Sequence, residues 1–226
     1  MLLLVAMAAG AETISDVTIG NLVYSLDTDT KVATVTGYDS SNKPTDVVIP
    51  NTIEYGGKNY SVTTIGQWAF SSCISLASID IPNSVTTIGE QAFYDCTSLA
   101  SVNIGESVTT IGDGAFLFCD AITSVTCLAK ECPVCDKGLW NNIFSVFDTA
   151  TLYVPKQSID AYKTTAPWSN FVNVVALEAT GIEGNPTDNA PRVDAVYDID
   201  GRRTDSMKRG LNIVRMSDGT TRKVMK

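Results

Sequence analysis

The sequence predicts a solenoid, a stack of short coils that each contribute a strand to one parallel sheet. Three observations predict it. Between Val62 and Lys130 one phrase occurs three times, as VTTIGQWAFSSCISLASIDIPNS, VTTIGEQAFYDCTSLASVNIGES and VTTIGDGAFLFCDAITSVTCLAK. The copies start at Val62, Val85 and Val108, a fixed period of 23 residues. Each also carries an L-x-x-L-x-L core: Leu76, Ile79, Ile81, then Leu99, Val102, Ile104, then Ile122, Val125, Cys127.

The columns explain why such coils must stack. In the middle copy the apolar positions are Val85, Ile88, Ala92, Phe93, Cys96, Leu99, Val102 and Ile104, with counterparts 23 residues either side. Burying that set in a lone copy falls short of the backbone entropy lost on ordering it. A row of copies succeeds, because each neighbour covers an open face and pairs a strand edge.

Flanking elements follow in order. Residues 1–11, MLLLVAMAAGA, read as the apolar core and small-residue cleavage site of an export signal, without the usual basic start. The other reading is an N-terminal buried strand. From Val17, VTIGNLVYSLDTDTKVATVTG alternates about a turn at Asp27-Thr28-Asp29, a β-hairpin that would cap the array within residues 12–43. The array itself spans 44–177. Ile49-Pro50 matches Ile81-Pro82, so an incomplete coil begins near Pro44, with a small hairpin inserted around Gly56-Gly57.

After the three copies, ATLYVP at 150–155 repeats the strand-then-proline signature four residues late, which assigns an irregular loop to Glu131–Phe147. Ser158–Lys163 reads as a short capped helix. Trp168 and Phe171 then pack beneath a last strand, Val172–Leu177, the sixth strand position. Residues 178–191 are rich in Gly, Pro, Asn and Thr and read as a linker. Residues 192–226 form a small antiparallel unit of three strand-like runs, punctuated by Asp200-Gly201 and Asp218-Gly219.

Composition narrows the chemistry. The 226 residues include no histidine, which removes Ser-His-Asp and Cys-His catalysis and imidazole zinc sites. Net charge is −9, which argues against nucleic acid as a partner. Residues 192–226 hold nine Lys or Arg against five Asp, whereas residues 1–191 hold seven basic and twenty acidic residues. That change of sign marks a separate C-terminal unit.

The phrase I-P-x-S-V-T-x-I-G-x-x-A-F-x-x-C-x-S-L at Ile81–Leu99, with TCLAK at 126–130 and ATLYVPKQSIDAYK at 150–163, resembles the BspA-type leucine-rich repeat of bacterial surface proteins. The resemblance implies a leucine-rich repeat solenoid of short parallel strands and short helical turns, α/β-type. Around it stand an N-terminal β-hairpin cap and the small C-terminal antiparallel β unit. It further implies a secreted or surface-displayed protein that binds extracellular protein or glycan ligands, with no catalytic residues, cofactor or transmembrane span. A self-associating structural component of the cell surface is the alternative. Val196–Gly201 followed by Gly210–Lys226 is similar to the sorting domain read by type IX secretion machinery. It is short, and Gly210-Leu211-Asn212 stands where Gly-x-Tyr is usual.

Candidate sites follow from alternation along the strands. Ser78, Asp80, Ser101, Asn103, Ser124, Thr126, Thr151 and Tyr153 lie between buried positions and would line the concave sheet face as a broad, shallow, polar surface. The expected affinity at one such site is micromolar or weaker. Trp68, Tyr94 and Phe118 interrupt the repeat consensus on the turn side, as interface anchors do. A solvated polar face is the plain alternative.

Cys73, Cys96 and Cys119 form a column best read as small buried side chains, with metal ligation or a disulfide as the sharper reading. Cys132-Pro133-Val134-Cys135 lacks the βαβ context of a redox motif and a fourth ligand for zinc, leaving a structural disulfide or thiols. Asp198–Gly201 starts like a calcium loop but lacks its remaining ligands, so a hairpin turn is the better reading. The basic pairs Lys208-Arg209 and Arg222-Lys223 read as a solvated face, or as contacts for a secretion component.

Overall fold

The computed structural model describes residues 12–41, 43–135 and 143–177, together with the backbone of four strands beyond residue 192. The predicted export signal (1–11), the linker (178–191), and the turns at Asp198–Gly201 and Asp218-Gly219 lie outside the described residues, as do Lys208 and Arg209. The chain divides into two compact units, Met1–Ala179 and Thr180–Lys226.

In the first unit each coil carries two strands. One set comprises β4 (Asp46–Val48), β7 (Ser78–Ile81), β9 (Ser101–Ile104), β11 (Ser124–Cys127), β13 (Thr151–Pro155) and β14 (Asn173–Leu177). These six form a wholly parallel sheet in the order β14-β13-β11-β9-β7-β4. Their positions are the six that the L-x-x-L-x-L and strand-proline signatures mark.

The second set lies in the V-T-T-I segments and, one coil further on, at Val134-Cys135. β6 (Lys58–Ile65), β8 (Thr87–Ile88), β10 (Thr110–Ile111) and β12 (Val134–Cys135) pair in parallel and make a second sheet. Strands of two residues carry too little alternation to register as strands in the sequence. The helical turns between the sheets are single i→i+3 turns: Ala69 N donates to Gly66 O, Ser71 N to Trp68 O, and Cys73 N to Phe70 O. Among the described residues the only α-helix is α1 (Ile159–Thr164), in the closing segment.

The core between the sheets is built from the predicted columns. Val85, Ile88, Ala92, Phe93, Cys96, Leu99, Val102 and Ile104 are all fully buried. One column is an aromatic ladder running Tyr38–Phe70–Phe93–Phe116–Phe144, with centroids 5.9, 5.1, 5.0 and 4.9 Å apart and planes within 8°. Coil spacing equals strand spacing, so identical rings repeat at about 4.8 Å and settle into offset stacks.

The cysteine column serves the same stack. Cys96 Sγ donates to Phe70 O at 3.1 Å and Cys119 Sγ to Phe93 O at 2.9 Å, tying each coil to the turn of the coil before it. The glycine after each V-T-T-I lies where coils touch. A Cβ on Gly89 would sit 2.6 Å from Gln67 N.

Four elements differ from the expectation. The N-terminal cap has three strands rather than a hairpin: β1 (Thr13–Ile19), β2 (Leu22–Asp27) and β3 (Val32–Tyr38), antiparallel in that order. The register of β1 slips between Ile14 and Val17, where Asp16 has φ 60°, and this bulge breaks the alternation that would have betrayed it. β3 then pairs in parallel with β6 and opens the aromatic ladder with Tyr38, so the cap serves as a first coil.

Glu131–Phe147 is not wholly irregular. It contributes β12 and a bridge from Phe116 to Phe144, so a fourth coil is threaded through it. The offset between paired residues rises from 24 at Ile111 and Cys135 to 28 at Phe116 and Phe144, then falls to 27 at Val125 and Leu152. An insertion therefore enters between Cys135 and Phe144, and the periodicity is lost there.

Ser158 does not cap α1 through its side chain; its hydroxyl donates instead to Lys130 O at 2.7 Å. The closing segment is anchored by Trp168 and Phe171, both buried. Trp168 Nε1 donates to Pro133 O at 3.0 Å, and Tyr162 OH to Ala129 O at 2.9 Å.

The hairpin around Gly56-Gly57 forms as expected. β5 (Thr52–Tyr55) pairs with β6 across a two-residue turn with φ of 58° and 71°. Among the described residues the C-terminal unit shows four strands instead of three runs: β15 (Val193–Tyr197), β16 (Arg203–Thr204), β17 (Leu211–Met216) and β18 (Thr221–Met225), antiparallel in the order β16-β15-β17-β18.

Candidate functional site

The outward face of the six-stranded sheet is assembled by register. Parallel pairing sets Asp46, Ser78, Ser101, Ser124, Thr151 and Asn173 in one row, and Val48, Asp80, Asn103, Thr126, Tyr153 and Val175 in the next. All eight strand-face residues named from the sequence stand together here. Asp46, Val48, Asn173 and Val175 complete the rows and were missed. The alternation that identified Ser78 and Asp80 would have found Asp46 and Val48, and also the pair on the last strand.

Within the rows Ser78 Oγ donates to Asp46 Oδ1 and Asn103 Nδ2 to Asp80 Oδ1. The carboxylates are thus fixed by neighbouring coils, which orders the surface at one end. Apolar residues mark both edges: Val48 is 69% exposed and Val175 44% exposed. A row of small hydroxyls with Tyr153 near one edge offers many hydrogen-bonding positions spread over the sheet face.

The three aromatics lie elsewhere, on the turns between the sheets. Trp68 is 57% and Phe118 41% exposed, and Tyr94 is half-buried. Trp68 Nε1 donates to Gln91 Oε1, and the Tyr94 and Phe118 rings meet edge to face at 5.2 Å.

The cysteines resolve as structural groups. All six are thiols, so the possible disulfide between Cys132 and Cys135 is not formed in this structure. Cys135 sits in the extended β12, and its thiol donates to Pro133 O at 3.5 Å. Burial raises the pKa of the Cys132 thiol above its ordinary value, the opposite of the depressed pKa that an attacking thiolate needs. Burial also pushes Cys127 up to about 11, beside Tyr162 OH at 3.2 Å. The Cys96 thiol is raised by the Cys119 thiol beside it and then by burial. Among the described residues no group of three His, Cys, Asp or Glu is placed to hold a metal ion, and no helix is long and apolar enough to cross a membrane.

With that geometry in view, the comparisons with known proteins are informative. The family model described as BspA type leucine-rich repeat region matches residues 45–142 in 6 copies. A leucine-rich repeat protein from Bacteroides capillosus is 31% identical over 62% of this chain and 99% of its own, with a TM-score of 0.52. The chain is a leucine-rich repeat protein with a BspA-type repeat region. A leucine-rich repeat protein from Bacteroides ovatus is 28% identical over 62% of this chain and 40% of its own, at a TM-score of 0.49. A leucine-rich cell surface protein from Faecalibacterium prausnitzii is 26% identical over 68% of this chain and 45% of its own, at a TM-score of 0.44. No curated protein matches. BspA-type proteins are a family of surface proteins, and such repeats generally act as structural or binding modules.

Proposed function

We propose that this BspA-type protein is exported, displayed at the cell surface, and binds extracellular protein or glycan ligands without catalysing a reaction. The observation that carries the reading is the pair of six-residue rows on the parallel sheet. Ten of their twelve members are polar or Tyr, all are fixed in register by backbone hydrogen bonds, and none is needed to hold the core. Recognition on such a face is multipoint and shallow, and copies clustered on one cell would raise the effective affinity.

The C-terminal unit, with its basic surplus, is assigned in this proposal to sorting or anchoring through a type IX-like route. Its four-stranded antiparallel topology and its likeness in sequence to that sorting domain support the assignment. The segment 1–11 acts as the export signal in the same scheme.

Two experiments test the proposal. The purified protein is presented to a panel of matrix proteins and glycans, beside a variant with Asn103→Arg and Thr126→Arg. A ligand that binds the parent and loses at least about tenfold on the variant supports the sheet face, because a buried, unpaired charge at an interface costs more than about 1.4 kcal/mol. Equal binding by both removes the face from the proposal. Fractionating cells that express the chain with and without residues 192–226 tests the address; unchanged location on deletion refutes it.

A further inference from the structure

The turns between the two sheets carry a second surface, distinct from the strand rows. Two positions in each of the three full copies adopt the left-handed region. Trp68, Gln91 and Gly114 occupy the first column at φ of 59°, 51° and 63°; Ser72, Asp95 and Phe118 occupy the second at 57°, 58° and 62°. The stacked geometry imposes this backbone on whatever residue stands there. Gly and Asp tolerate it, and Gly114 and Asp95 show the low-strain solutions within the same chain. A bulky aromatic there is strained, and burial offsets this only in part, since Trp68 stays 57% and Phe118 41% exposed. The fold does not ask for them.

These aromatics form one continuous line across three coils. Trp68 donates to the Gln91 side chain, Tyr94 N donates to Gln91 O at 3.1 Å within the next turn, and the Tyr94 ring meets Phe118. At about 4.8 Å per coil these residues advance roughly 10 Å along the stack, and they step sideways from the first column to the second.

Charge names the partner. From residue 59 to residue 129 the chain has no Lys, Arg or His, while six carboxylates occur there: Asp80, Glu90, Asp95, Glu106, Asp113 and Asp120. Glu90 neighbours Gln91, Asp95 neighbours Tyr94, and Asp120 lies two residues beyond Phe118. Exposed aromatic rings with carboxylates beside them in sequence, in a stretch that carries no Lys, Arg or His of its own, suit an incoming Lys or Arg side chain.

We propose that the ridge Trp68–Gln91–Tyr94–Phe118 docks a cationic protein segment, seating Lys or Arg side chains against its aromatic faces. This adds a surface to the sheet-face reading and does not depend on it. Neutral saccharides, which also stack on aromatics, are the competing occupant.

The test titrates the full chain with a fluorescent oligolysine and, separately, with a neutral oligosaccharide. Three variants are compared: Trp68→Gly, Phe118→Asp and Glu106→Gln. The first two suit the left-handed backbone, so both fold; unchanged or raised melting temperatures verify it. Glu106 lies on the opposite turn of its coil and serves as the control for bulk charge. Trp68→Gly and Phe118→Asp are each expected to weaken oligolysine binding about fivefold, while Glu106→Gln leaves it within twofold. Phe118→Asp is the decisive arm, because it makes the surface more negative and would strengthen a merely electrostatic attraction. Equal or tighter binding by that variant overturns the proposal. So does failure of the parent to bind oligolysine, or saccharide binding that vanishes with Trp68.

Discussion

The aromatic ladder makes a quantitative prediction about where this solenoid is held together. Phe93 is fully buried and stacked on both faces, by Phe70 at 5.1 Å and 4° and by Phe116 at 5.0 Å and 3°. Tyr38 ends the ladder, half-buried, with one stack at 5.9 Å. Leucine keeps much of the apolar area in either place and removes the ring pairs. Each pair contributes about 0.5–1.5 kcal/mol beyond area, so Phe93→Leu should cost about 1–3 kcal/mol and Tyr38→Leu about half as much. Phe93→Ala adds a cavity and should cost about 3–5 kcal/mol or more. Urea unfolding followed by far-UV circular dichroism reads these values from the shift in midpoint, provided the slope is unchanged. Equal costs at the two positions, or a Phe93→Leu cost under about 0.5 kcal/mol, would refute the ladder as a source of stability.

Other perturbations address separate features. Gly89→Ala forces a Cβ to within 2.6 Å of the Gln67 nitrogen, and the coils must part; a loss of about 1–3 kcal/mol in the same urea assay is expected. In the native protein a thiol reagent should leave Cys73, Cys96, Cys119 and Cys127 untouched, because all four are buried, and modify them only after unfolding. Stability should also fall in alkali. Burial raises Tyr24 and Tyr38 from 10.0 to about 12 and Cys127 from 9.0 to about 11, so the folded state holds protons that the unfolded chain releases. This contribution is complete below pH 9 and is lost as pH rises through about 11–12, which melting temperatures measured across that range would record. Tyr24→Phe should flatten part of that decline.

The repeat itself decides how much could be read in advance. Wherever the period holds, burial and strand position are legible, because Val85, Phe93, Leu99 and Val102 face the same constraint as their neighbours 23 residues away. Where it breaks, legibility fails for identifiable reasons. The bulge at Asp16 hid β1, two-residue strands in V-T-T-I hid the second sheet, and an insertion after Cys135 disguised a coil that still presents Phe144 to the ladder. The hydroxyl of Ser158 served a tertiary bond to Lys130 instead of a helix end, and no local pattern encodes that preference.

Periodicity also supplies a control that ordinary sequences lack. At each column the chain shows what the fold accepts at little strain, as with Gly114 and Asp95, and any costlier residue in the same column stands out against it. Phe93 and Cys96 match their columns and are explained by stacking alone. Trp68 and Phe118 depart from theirs, toward strain and exposure together, and stacking accounts for neither. The strand rows follow a different logic: Ser78, Ser101 and Ser124 recur with the period and register aligns them, so the polar surface they build is shared among coils instead of marked at one. Departure from the column therefore marks the turns as a surface in their own right beside the strand rows, and it directs the turn mutations to Trp68 and Phe118.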